Sequence, residues 1–169
     1  MNFQSKTIIA LFVVSSAFLL TATSCKKSNS SSSSNGQFAA SVSGTAWASN
    51  FPTSGIYSTS GQEFEIGGAQ YKGGDSTAIA LVFFSPITLN KALNSDTATV
   101  DVEYVNANTV TEYDGGLIAG HSILTITSYD SVNHKIGGTF TGVLYNISGG
   151  SDSVVVTGGS FSSSYTVTN

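Results

Sequence analysis

An all-β domain, either an antiparallel β-sandwich or a partly closed barrel of about eight or nine strands, is predicted by three features of this 169-residue chain. Helix signals are nearly absent after the first two dozen residues. Valine, isoleucine, threonine and aromatic residues recur with a period of two over short runs, as on a pleated strand. Six Gly-Gly pairs, at 67–68, 73–74, 115–116, 137–138, 149–150 and 158–159, punctuate those runs at turn-like spacing.

The elements follow in chain order. Phe38 to Trp47 (FAASVSGTAW) reads as a tight hairpin with Ser43-Gly44 as its two-residue turn. Val42 then pairs with Thr45 and Ala40 with Trp47, which puts Phe38, Ala40, Val42 and Trp47 on one apolar face. Gln62 to Tyr71 alternates, with Phe64 and Ile66 inward and Glu63 and Glu65 outward. A turn at Lys72-Gly73-Gly74-Asp75 leads into Thr77 to Phe84 (TAIALVFF), apolar on both parities and hence a central strand buried on both sides. Pro86 ends that strand, and residues 87–95 read as a loop or one short helical turn. Thr97 to Val105 alternates again, Val100, Val102 and Tyr104 against Asp101 and Glu103. His121 to Tyr129 and Lys135 to Ile147 form a second hairpin about Asp130-Ser131-Val132-Asn133, and Val154 to Phe161 closes the sheet.

The chain before this domain reads as an export and anchoring signal. Lys6 precedes a short apolar run, Thr7 to Leu20 (TIIALFVVSSAFLL), of the length of a signal-peptide core rather than of a membrane span. Small residues Ala22-Thr23-Ser24 follow, then Cys25, the chain's single cysteine, and Lys26-Lys27. This arrangement resembles a bacterial lipoprotein signal, which implies acylation of Cys25 and removal of residues 1–24. Two acyl chains hold a protein stably to a bilayer. With Cys25 so used, no disulfide is available to the fold. Residues 25–36 then form a serine-rich tether (Ser28 to Gly36, SNSSSSSNG) of roughly 20 Å root-mean-square reach, and residues 37–169 form one all-β domain.

The domain carries three lysines, no arginine and all ten carboxylates of the chain. Nucleic-acid binding needs a cationic surface and is excluded. The expected partner is the membrane, reached through the N-terminal acyl chains, with a glycan or an envelope protein as ligand.

The opening FAASVSGTAW, the run ILTITSYDSVNHKIGGTFTGVLYN (Ile123 to Asn146) and Gly158-Gly159-Ser160-Phe161 resemble small lipoproteins of the Bacteroidetes that carry an all-β domain of unknown function. The resemblance implies a lipid anchor and an all-β fold, and it brings no catalytic residues. Four Asp-Ser/Thr triplets begin at Asp75, Asp96, Asp130 and Asp152. They resemble O-glycosylation sites of exported Bacteroidetes proteins, which makes Ser76, Thr97, Ser131 and Ser153 candidate modified hydroxyls. Turn chemistry explains the same triplets, since Asp and Ser favour turns and the following residue starts a strand.

The search for chemistry is otherwise thin. His121 and His134 flank the second hairpin without the partners a zinc site requires, and read as strand-start and turn residues. No GxSxG, SxxK or P-loop occurs, and the Gly-Gly pairs lack the lysine and helix of a phosphate cradle. Three carboxylate pairs stand at i, i+2: Glu63/Glu65, Asp101/Glu103 and Glu112/Asp114. On strands each pair shares a face. That face is either solvated, which also discourages edge-to-edge association, or a place where two pairs meet and hold Ca²⁺. Tyr57, Tyr71, Tyr113 and Tyr165 lie near turns, where exposed rings stack on sugars and partly buried rings are merely structural.

These features describe a non-enzymatic, lipid-anchored lipoprotein of the cell envelope with no cofactor, set in the outer membrane and facing the periplasm, with a binding or structural role. A Ca²⁺-stabilised carbohydrate- or protein-binding sandwich is one alternative. A lipocalin-like carrier or a hydrolase is another, distinguished by an apolar barrel cavity or by carboxylates converging in a cleft.

Overall fold

The computed structural model describes residues 37–96, 100–116 and 120–169. The signal segment 1–24, Cys25, the tether to Gly36 and Thr97 lie outside the described residues.

The fold is all-β, with eleven strands in one mixed sheet: β1 Phe38–Val42, β2 Thr45–Ala48, β3 Ser54–Ser58, β4 Glu63–Lys72, β5 Asp75–Phe84, β6 Ala92–Asn94, β7 Val100–Asn106, β8 Thr111–Asp114, β9 His121–Asp130, β10 Lys135–Asn146 and β11 Ser153–Thr168. The order is β2-β1-β11-β3-β4-β5-β7-β8-β10-β9-β6, and a further β10–β11 ladder bends the sheet into an incomplete ring. β11 is the seam. One edge pairs with β10 from Ser153 to Ser164, and the other takes β1 beside Val156 to Phe161 and then β3 beside Tyr165 to Thr168. On the far side only Tyr145 and Asn146 of β10 reach β8, so the ring closes weakly there.

The first hairpin has the expected register, Val42 with Thr45 and Ala40 with Trp47. Its turn places both Ser43 (φ 47°) and Gly44 (φ 82°) in the left-handed region, the geometry that suits a two-residue hairpin. Lys72 pairs with Asp75 across Gly73-Gly74, and β5 is central, flanked by β4 and β7. Its odd residues Ile79, Leu81 and Phe83 enter the core while Ala78 and Ala80 are buried on the other face. Among the Gly-Gly pairs, 137–138 coincides with a register shift in the β9–β10 ladder. Gly68 lies where a Cβ would meet Phe38 at 3.0 Å, so it marks close packing rather than a turn.

Three differences from expectation concern connectivity. The sheet has eleven strands because β3, β6 and β8 are only three to five residues long, too short to show periodicity. Residues 87–95 hold the short strand β6 on the edge of β9 rather than a helical turn. The sheet is mixed, since β3 runs parallel to the end of β11. Periodicity describes which face a residue takes and is silent about a partner more than a hundred residues away.

The core is one cluster inside the ring, built on Phe38, Phe64, Phe83 and Phe140 with Ile66, Ile79, Leu81, Val102, Leu124 and Leu144. Toward the end where β4 begins, the rings interlock around Phe64: Tyr57 at 4.3 Å, Phe83 at 5.2 Å and Tyr165 at 5.3 Å between centroids. That aromatic plug closes one end of the ring.

Candidate functional site

Two places concentrate chemistry. The first is a cleft of about 580 Å³ at the opposite end, where the β1–β2 turn, the β4–β5 turn and the β7–β8 strands converge. Tyr104 and Tyr113 line it with partly buried rings, Trp47 lines it from the core cluster at only 5 % exposure, and Gln70, Lys72, Asp75 and Asn106 supply polar groups. The aromatic residues are held by hydrogen bonds. Trp47 Nε1 donates to Thr77 Oγ1 at 2.8 Å, and the same hydroxyl bonds the Tyr104 side chain. Tyr113 Oη donates to Asp152 Oδ2 at 2.6 Å, and Asp152 also accepts from Asn146 Nδ2 at 2.7 Å. Both bonds favour the ionised carboxylate and hold Asp152 below its usual range, while the Tyr113 phenol is pushed up. The rings of Tyr104 and Tyr113 stand 5.9 Å apart at 43°. Such a surface can stack on the apolar face of a ring-shaped ligand and hydrogen-bond its hydroxyls.

The second place is the sheet face turned away from the core. Cross-strand register brings all three carboxylate pairs onto this face of β4, β5, β7 and β8. Glu65 is opposite Val82 and Val82 opposite Asp101, while Glu103 is opposite Asp114 and Val105 opposite Glu112. One oxygen from each of Asp101, Glu103 and Asp114 lies within 4.8 Å of the others. The expectation of a solvated face is corrected here. Asp101, Glu103, Asp114 and Glu65 retain only 5, 5, 3 and 8 % of their exposure. Alternation sets them away from the core without exposing them. Val82 lies between Glu65 and Asp101, and Ala80 and Gly67 lie in line with Glu103.

Local backbone shapes the cluster. Gly116 N donates to Asp114 Oδ1 at 2.7 Å, and a Cβ on Gly116 would lie 2.8 Å from Asp101 Cγ, so glycine alone lets the chain press against that carboxylate. Burial, then Asp101, Glu112, Asp114 and Glu65, push the Glu103 carboxyl well above its ordinary range. Burial and then Glu63 push Glu65 up to about 7.

The remaining candidates are scattered. Ser131 is exposed in the β9–β10 turn and Ser153 is exposed at the start of β11, so both hydroxyls are accessible. Ser76 is 7 % exposed, and a sugar on it would have no room in the folded domain. His121 starts β9 with Nδ1 at 3.2 Å from Asp96 Oδ2, and His134 ends the β9–β10 turn against the Tyr165 ring. Of the four tyrosines, Tyr113 lines the cleft. Tyr71 is exposed on the non-core face, and Tyr57 and Tyr165 belong to the aromatic plug at the other end. Trp47 and Tyr104 were legible only as core-facing strand residues; that they reach the mouth of the ring depends on where the turns meet.

Compared with protein-family models, curated proteins and solved structures, the chain matches none of them.

Proposed function

We propose that the protein is a lipid-anchored lipoprotein of the cell envelope that acts by binding, with the aromatic cleft as its ligand site and a glycan as its ligand class. The observation that carries this reading is the cleft itself, where Trp47, Tyr104 and Tyr113 sit beside Gln70, Lys72, Asp75 and Asn106. Planar rings flanked by amide and charged groups match the two surfaces of a sugar, an apolar face and a hydroxyl edge. The anchoring half of the reading rests on Cys25, the apolar run before it and the serine tether after it. In this reading the serine tether holds the domain a short distance from the membrane, with the outer membrane and its periplasmic side as the proposed location.

The alternatives fit less well. A carrier requires an apolar cavity inside the ring, and that space is packed by the phenylalanine cluster. A glycosidase requires two carboxyls facing each other across a cleft, about 5–10 Å apart, and the buried carboxylates lie on the face away from the cleft.

Thermal unfolding of the full chain against a panel of envelope and host glycans tests the proposal. A ligand at a hundredfold excess over its Kd adds about 2.7 kcal/mol, which raises the midpoint by several degrees. Tyr113→Ala removes a partly buried cleft ring that packs against the core cluster without belonging to it and, in protein shown to be folded, is expected to abolish the shift. A midpoint indifferent to every glycan would count against the ligand class, and a shift undiminished in Tyr113→Ala would count against the cleft.

A further inference from the structure

The carboxylate cluster on β7 and β8 is unrelated to the cleft, and its energetics require an explanation. Glu103 is 5 % exposed, and its Oε2 is buried without a hydrogen-bond partner. Every charge that acts appreciably on it belongs to another carboxylate: Asp101, Glu112, Asp114 and Glu65. Buried polar atoms in folded proteins are almost always satisfied, and a desolvated carboxylate among like charges is among the most costly arrangements a fold can hold. Glu103 belongs to a set of three side chains, one oxygen of each lying within 4.8 Å of the others.

We infer that Asp101, Glu103 and Asp114 form a binding site for one Ca²⁺ ion. Three arguments select the ion. The donors are carboxylate oxygens only, which favours a hard cation over zinc or copper. Oxygens at 2.3–2.6 Å from Ca²⁺ stand up to about 5 Å apart across the ion, so three oxygens within 4.8 Å of one another fit its shell. Mg²⁺ demands near-ideal octahedral geometry at about 2.1 Å and dehydrates reluctantly, so it usually keeps several waters and takes only one or two carboxylates rather than three. Three side-chain oxygens leave part of the Ca²⁺ shell to water or to second carboxylate oxygens. The bond from Gly116 N to Asp114 Oδ1 orients one ligand in advance, and Gly116 keeps the space beside Asp101 clear of a side chain. The ion would supply the missing partner of Glu103 Oε2 and link β7 to β8 beside the weak closure of the ring.

The test uses the full chain, stripped with a chelator and unfolded thermally in millimolar CaCl₂ or MgCl₂, with metal analysis of the protein reloaded with CaCl₂. The expected result is one Ca²⁺ per chain and a midpoint raised by several degrees, with little response to Mg²⁺. Glu103→Gln keeps the shape and removes the charge, so the Ca²⁺ response should vanish; Asp114→Asn is read in its place if that variant does not fold. Glu65→Gln, outside the triad, should keep the response. No bound calcium and no shift in the wild-type chain would overturn the site. So would a shift unchanged in both Glu103→Gln and Asp114→Asn, and an equal response to Mg²⁺ would overturn the choice of ion.

Discussion

Glu65 shows how a single side chain couples this fold to pH. Its carboxyl ionises near 4.5 when unfolded and near 7 in the folded domain, because burial and Glu63 oppose its charge. Between those values the unfolded chain has released a proton that the folded chain retains, so stability falls as pH rises through that window. Glu103 is shifted in the same direction and adds the same sign. Metal-free protein is therefore expected to melt higher at pH 5 than at pH 8. Glu65→Gln should flatten that difference by raising the midpoint at pH 8, as pH-dependent calorimetry would show. A midpoint that climbs from pH 5 to pH 8 would show that these carboxyls are not held neutral. The outward side of Glu65 was legible from its alternation with Phe64 and Ile66. Its burial was not, because a period of two separates the two faces of a strand without stating what covers either.

Among the elements, hairpins were legible and long-range partners were not. Val42-Ser43-Gly44-Thr45 and Lys72-Gly73-Gly74-Asp75 carry their turn geometry in adjacent residues, so their registers could be read directly. β11 could not be read to its end. Ser162, Ser163 and Ser164 break the apolar pattern, yet the strand continues to Thr168 because β10 and then β3 supply its hydrogen bonds. The carboxylate cluster has the same origin: Asp101/Glu103 and Glu112/Asp114 were visible as pairs, whereas the register of β7 on β8 decides that Glu103 meets Asp114. The aromatic plug gives this level its own prediction. Phe64 is 1 % exposed and touches the rings of Tyr57, Phe83, Tyr129 and Tyr165, joining β4 to β3, β5, β9 and β11. Phe64→Ala should cost about 3–5 kcal/mol, measured by urea unfolding. A loss below about 1 kcal/mol would mean that the ring end is not held by this packing.

At the scale of the whole molecule, the proposed function joins a lipid anchor at Cys25 to a binding domain. Cys25→Ser should move the protein from the membrane fraction to the soluble fraction, because no other segment of the chain is proposed to hold lipid. A variant that stays with the membrane would remove the anchor from the account. The domain itself is closed at one end by rings packed on Phe64 and carries the cleft at the other. Trp47 is the only tryptophan in the chain and lines the cleft, so its emission reports the proposed binding event without a label. The most direct measurement is a fluorescence titration of the full chain with glycans drawn from the envelope. A saturable change in Trp47 emission is expected with at least one glycan, lost in Tyr113→Ala. Emission that no glycan alters, in protein shown to be folded, would contradict it.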